Sequence, residues 1–227
     1  MSRGRKRLWP GLILALVALG LLGPLPPSIA APAARTIYVQ PLGKALPAAD
    51  VALVKHALEV FTGLPVKVLA RVPLPRAAWY PPRRRWRAEK LLTFLGRRMP
   101  ADGFRILGLT AADISTTKGR YKDWGVLGLA NLAGTACVIS SLRCHRRSRG
   151  GTQPRIRLAK VAVHEIGHTL GLEHCPTLGC LMEDARGKVK TCDREYDLCP
   201  RCRRKLARRG YHLPATPKIP WPRPRSR

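Results

Sequence analysis

Acidic side chains are scarce in this chain. Thirteen Asp and Glu stand against 42 Lys and Arg in 227 residues, a formal net charge of +29. That deficit leaves anionic partners electrostatically favoured: nucleic acid, lipid headgroups, acidic peptides. Yet no single basic helix or RNA-binding motif stands out. The basic runs at 83–87, 143–149 and 201–209 therefore read as solvated faces at least as readily as a nucleic-acid surface. No internal repeat is visible, which excludes a solenoid. The apolar run at 12–22 falls short of the about 20 residues that a membrane span needs. No cysteine follows that run, which excludes lipoprotein processing. Histidine is rare as well, with six in all.

The first thirty residues combine a cationic start, "MSRGRKR", the uncharged run from Leu12 to Leu22, three prolines at 24, 26 and 27, and the small residues Ser28 and Ala30. That order of features predicts a signal peptide over 1–30 and export to the periplasm or beyond, with an uncleaved amino-terminal anchor as the alternative. Removing its four basic residues leaves +25, so the basic character belongs to the remainder. A chain of this size and 45% apolar content suits one cored domain.

Periodicity predicts a single domain of the α/β (α+β) class over 35–213, with a mixed, twisted sheet of about five strands. The strands expected are 36–40, 66–72, 104–110, 125–132 and 135–142, the last two turned near Gly134. Helices are expected over 47–61, 86–99 and 155–170, followed by a C-terminal helical part. From Pro214 onward, "PATPKIPWPRPRSR" is too rich in proline to join a core, and a disordered tail over 214–227 is expected.

Half of the histidines fall in eleven positions, "HEIGHTLGLEH" at 164–174. The pattern HExxHxxGxxH would arise about once in a hundred thousand chains of this composition. On a helix, His164 and His168 are one turn apart and face the same side, so their neutral imidazoles can share a zinc ion. Glu165 lies one step around, within reach of a water beside the metal, as a general base requires. His174 could not join them on a continuing helix, because it would sit about 9 Å further along the axis. Gly171 resolves this by accepting the left-handed conformation that ends a helix and turns the chain. Three ligands with a fourth position open mark a catalytic site.

Cys175 and Cys180, then Cys199 and Cys202, form two close pairs 18 residues apart. Four thiolates at that spacing suit a closed, structural zinc site, and the adjacency of Cys175 to His174 would clamp the loop carrying the third histidine. Disulfides in an exported protein are the alternative. A redox pair is a third reading, although no thioredoxin-like strand precedes the CxxC. Cys137, Cys144 and Cys192 are left over, and an odd number implies at least one free thiol.

"HEIGHTLGLEHCPTLGCLM" followed by "CPRC" resembles the extended signature of the archaemetzincins, a branch of the metzincin zinc metallopeptidases. The match is close over 164–202 and looser over about 36–210. The resemblance implies a metzincin-like zincin domain and two zinc ions. His164, His168 and His174 would bind the catalytic one, with Glu165 as general base and acid. Cys175, Cys180, Cys199 and Cys202 would bind the structural one, and Met182 would lie beneath the metal site as the Met-turn residue. Peptide or protein substrates follow, bound extended along an edge strand within 124–141. Cleavage within a chain and aminopeptidase action both stay open. Sixteen residues separate Met182 from Cys199, one fewer than the family pattern, as a trimmed surface loop would give. Family members are usually cytoplasmic, so the resemblance sets a cytoplasmic location against the exported one. A monomer is expected. The competing functional reading is a zinc-stabilised, non-catalytic binding module on an anionic partner.

Overall fold

The computed structural model describes residues 35–215 and 217–223; the expected signal peptide lies outside them. Four parallel strands and one antiparallel edge strand form the main sheet. In chain order its members are β1 (Thr36–Leu42), followed by helix α1 (Ala48–Thr62), and β2 (Val66–Val68). Two short strands come next, β3 (Trp79–Tyr80) and β4 (Arg85–Arg87), and then helix α2 (Ala88–Gly96). They are followed by β5 (Gly103–Thr110), β6 (Ile114–Lys118), β7 (Tyr121–Val126), β8 (Gly128–Ala130) and β9 (Ala136–Ser140). The chain ends in helices α3 (Gln153–Thr169), α4 (Thr191–Arg194) and α5 (Pro200–Arg208). The main sheet runs β2-β1-β5-β9-β8, with β8 antiparallel to β9.

Alternation along the strands divides the core into two faces, as a period of two requires. Ile37, Val39, Leu107, Leu109, Cys137 and Ile139 pack with α1 and α3. Tyr38, Leu42, Ile106 and Val138 pack with Leu91, Leu92 and Leu95 of α2. Strand β1 is buried over all seven residues because it is central and covered on both sides. Val54, Ala57, Leu58 and Phe61 give α1 its buried stripe, and Gly63 closes it in the left-handed conformation.

Four expectations change. A second, four-stranded sheet, β3-β4-β6-β7, appears where the sequence suggested only loop and strand. Trp86 belongs to β4, paired with Trp79 and Ile114, so the helix expected from 86 begins at Ala88. The strand expected over 125–132 is split, with Tyr121–Val126 pairing with β6 and only Gly128–Ala130 joining the main sheet. The strand expected over 66–72 is regular only to Val68, because the Gln40 amide takes the Ala70 carbonyl.

The described part of the tail is also not free. Trp221 is buried, stacks on Phe61 with ring centroids 5.4 Å apart, and donates its indole N–H to the Tyr196 carbonyl at 3.0 Å. Proline removes backbone donors but does not prevent one aromatic anchor from docking.

Candidate functional site

Helix α3 crosses the main sheet and brings its C-terminal end beside the edge strand β8. Its most buried charged residue is Arg157, whose guanidinium meets both oxygens of Asp193 at 2.7 Å and donates to the carbonyls of Cys144 and Arg146. A buried arginine is tolerable when its donors are this fully used, and this one ties α3 to α4.

The helix stops at Thr169 in a Schellman turn. Leu172 N–H bonds the Gly167 carbonyl and Gly171 N–H bonds the His168 carbonyl, with Gly171 at φ +90°. The turn does what the sequence required of it and returns His174 to the other two rings. Ring centroids lie 4.6 Å apart for His164–His168, 4.8 Å for His168–His174 and 5.4 Å for His164–His174. One nitrogen from each ring lies within 4.8 Å of the others.

The tautomers are set by the backbone. His164 Nδ1 bonds the Leu181 carbonyl at 2.7 Å and His168 Nδ1 bonds the Leu172 carbonyl at 2.6 Å. Both Nε2 atoms are thereby left free, 3.0 Å from each other. Burial, then the neighbouring His168 ring, pushes the His164 pKa down to about 3. Burial lowers His168 too. Two neutral imidazoles presenting lone pairs at that separation fit a shared cation.

Glu165 is buried beside them, and among the described residues its carboxyl has no hydrogen-bond partner; burial pushes its pKa up to about 8. It lies against Gly128 of β8, where a Cβ would meet Glu165 Oε1 at 2.5 Å. Met182 is fully buried, and its sulfur would touch a Cβ added at Gly167 at 2.5 Å, so the thioether packs directly against α3 beside His168. Gly128 and Gly167 were not singled out from the sequence, although a glycine inside a strand signals close approach. The carbonyls of Leu172 and Leu181 carry no sequence signal at all.

The four cysteines also come together. Cys175 Sγ is 3.7 Å from Cys199 Sγ, and Cys180 Sγ is 3.8 Å from Cys202 Sγ. A tetrahedron with Zn–S near 2.3 Å has edges of about 3.8 Å, whereas a disulfide is about 2.0 Å. All seven cysteines are free. Backbone N–H groups of Met182 and Cys199 point at Cys180 Sγ, at 3.5 and 3.4 Å. Hydrogen bonding from Cys202 and from those amides brings Cys180 down to about 5 and pushes Cys202 up. The donor set therefore fits a thiolate-binding cation. Cys137, Cys144 and Cys192 are buried thiols raised by burial, and stay outside the cluster.

A cavity of about 500 Å³ is lined by the three histidines, Glu165, the 124–130 segment and the 183–187 segment. Comparisons with known proteins place the chain in a family. The profile of "Peptidase family M54" matches residues 49–208. The chain belongs to that family. It is thus a zinc metallopeptidase of the archaemetzincin type. It is 34% identical over 140 residues to the archaemetzincin of Haloquadratum walsbyi, covering 59% of this chain and 78% of the relative. It is 30% identical over 182 residues to that of Methanocaldococcus jannaschii, covering 78% and 96%. The crystal structure of archaemetzincin from Methanopyrus kandleri superposes with a TM-score of 0.67 at 28% identity, covering 80% of this chain and 98% of that one. That from Archaeoglobus fulgidus gives 0.64 at 30% identity, covering 75% and 99%. The zincin-like fold of this M54 peptidase is thereby established.

Proposed function

We propose that this M54 peptidase hydrolyses peptide bonds at a zinc ion held by His164, His168 and His174, with Glu165 as general base and acid. Cys175, Cys180, Cys199 and Cys202 would hold a second, structural zinc. The observation that carries the reading is the convergence of three imidazoles, two with Nδ1 already engaged, beside a buried carboxyl that has no other partner. Zinc in that place would supply Lewis acidity, lowering the pKa of water towards about 7 and stabilising negative charge on a carbonyl oxygen.

The chain's own residues supply the rest. Glu165 takes a proton from the attacking water and delivers it to the leaving amine. Its carboxyl is held up to about 8 by burial, and positive charge among the imidazoles would draw it down to where it can accept that proton. Gly128 lets β8 approach Glu165 closely. The β8 edge that faces away from β9 offers backbone groups to an extended substrate. Met182 and the cysteine cluster fix the floor of the site and the loop that carries His174.

A non-catalytic, zinc-braced module would have no use for a buried carboxyl at Glu165, since an unpartnered acid there only costs stability. The cationic start and apolar run at 1–30 support export as the location, and the reading takes the chain as a monomer whose basic surface can attract anionic partners. Chelation followed by zinc re-addition tests the assignment. Peptide hydrolysis is expected to disappear and then return; hydrolysis that persists in metal-free protein would contradict it.

A further inference from the structure

We infer that Glu195 gives the active-site cavity a preference for a cationic substrate side chain, lysine or arginine, bound in its deep arm. The inference rests on the peptidase reading and adds a substrate class to it. The cavity's lining extends from the imidazoles to Val161, one turn back along α3, and includes Cys192 and Glu195. Cys192 and Glu195 are buried, at 3% and 2% exposure. Leu127 and Val161 provide apolar walls that suit the methylene stem of a long side chain, with a polar group at the far end.

Glu195 uses its backbone and leaves its carboxyl unengaged. Its N–H bonds the Thr191 carbonyl and its carbonyl accepts from Lys160 Nζ at 2.5 Å. Among the described residues, its carboxyl has neither a hydrogen bond nor an ion pair. Lys160 is the neighbouring cation, but its ammonium is directed to the carbonyls of Cys192 and Glu195 and lies 5.6 Å above the Trp221 ring. Glu183, also near, is taken by Arg194 and the Gly179 N–H. In a chain with a net charge of +29, one of only 13 acids thus stands unpaired in the cavity's lining. Burial pushes its pKa up to about 8, the expected state of a carboxyl waiting for a counter-charge. An arriving ammonium or guanidinium gains a charge-assisted hydrogen bond there; a neutral side chain gains nothing, and an acidic one is repelled.

The test uses zinc-loaded full-length protein and a peptide set that differs at one position: lysine, arginine, norleucine, leucine or glutamate. Wild-type hydrolysis is measured first, and then binding to the Glu165→Gln protein, with and without Glu195→Gln. Lysine and arginine peptides are expected to be cleaved and bound about tenfold better than norleucine. Glu195→Gln is expected to erase that advantage while neutral peptides change less than about twofold. If wild-type protein cleaves peptides but prefers neutral ones, or if Glu195→Gln weakens all peptides alike, the inference is overturned and the peptidase reading stands. If wild-type protein cleaves none of them, both fall. Should Glu195→Gln fail to fold, Glu195→Asp keeps the charge and shortens the reach. It is then expected to weaken lysine peptides more than norleucine ones, and equal weakening overturns the inference.

Discussion

His168 Nδ1 lies 2.6 Å from the carbonyl oxygen of Leu172, so the turn that ends α3 also fixes the tautomer of an imidazole in the three-histidine cluster. That relationship makes Gly171 responsible for more than chain reversal. At φ +90° an alanine is strained, and its Cβ would collide with the Arg209 guanidinium. Gly171→Ala is expected to cost about 1–3 kcal/mol of stability and to weaken zinc binding at the histidines by about 10–100-fold. Unfolding curves and a competitive zinc titration measure both. Unchanged zinc affinity would show that the turn does not orient the ring.

Gly128 and Glu165 form a second coupled pair. A Cβ at 128 would meet the Glu165 carboxyl and Cγ at 2.5–2.7 Å, too close without displacement. Gly128→Ala is expected to lower hydrolysis by about 100-fold or more, because a misplacement of about 1 Å in a reacting group has that consequence. Zinc content should stay at the wild-type value. Full activity in this variant would mean that Glu165 need not occupy its present position.

The buried titratable groups predict a mildly acidic pH optimum for the stability of metal-free protein. Glu165 moves from an ordinary 4.5 to about 8 on folding, so between those values the unfolded chain releases a proton that the folded chain keeps. Stability therefore falls as pH rises through that window. His164 moves from 6.5 to about 3, so stability also falls as pH drops below 6.5. Each effect is of the order of a few kcal/mol. Chemical unfolding should show its highest stability between about pH 4.5 and 6.5, where these slopes oppose each other, and Glu165→Gln should reduce the alkaline slope, the remainder coming from Glu195, which burial also pushes up to about 8. An unaltered alkaline slope in that variant would locate the loss elsewhere.

Trp221 makes the tail part of the domain. Trp221→Ala removes its stacking on Phe61, its bond to Tyr196 and the cover over Lys160. A loss of about 2–4 kcal/mol is expected by urea unfolding. A change below about 0.5 kcal/mol would mean the tail contributes no packing in solution.

The convergence of the three histidines was legible in the sequence because it depends on short spacings. His164 and His168 follow from helical geometry, and the left-handed turn at Gly171 follows from the need to recover His174. The β6–β7 hairpin was not legible: "ISTTK" is largely polar and half exposed, so it shows no apolar alternation. Trp221 was masked by the prolines around it. Glu195 and Gly128 matter through approaches across the cavity, 30 residues or more from the motif in the second case, and no local pattern marks them. Backbone carbonyls such as that of Leu181 are invisible to any reading of side chains.

The most direct test of the account is Glu165→Gln protein measured for zinc content and for peptide hydrolysis in the same preparation. The account predicts two zinc ions per chain, as in the wild type, with hydrolysis reduced to background. Turnover equal to the wild type at equal zinc content would contradict it.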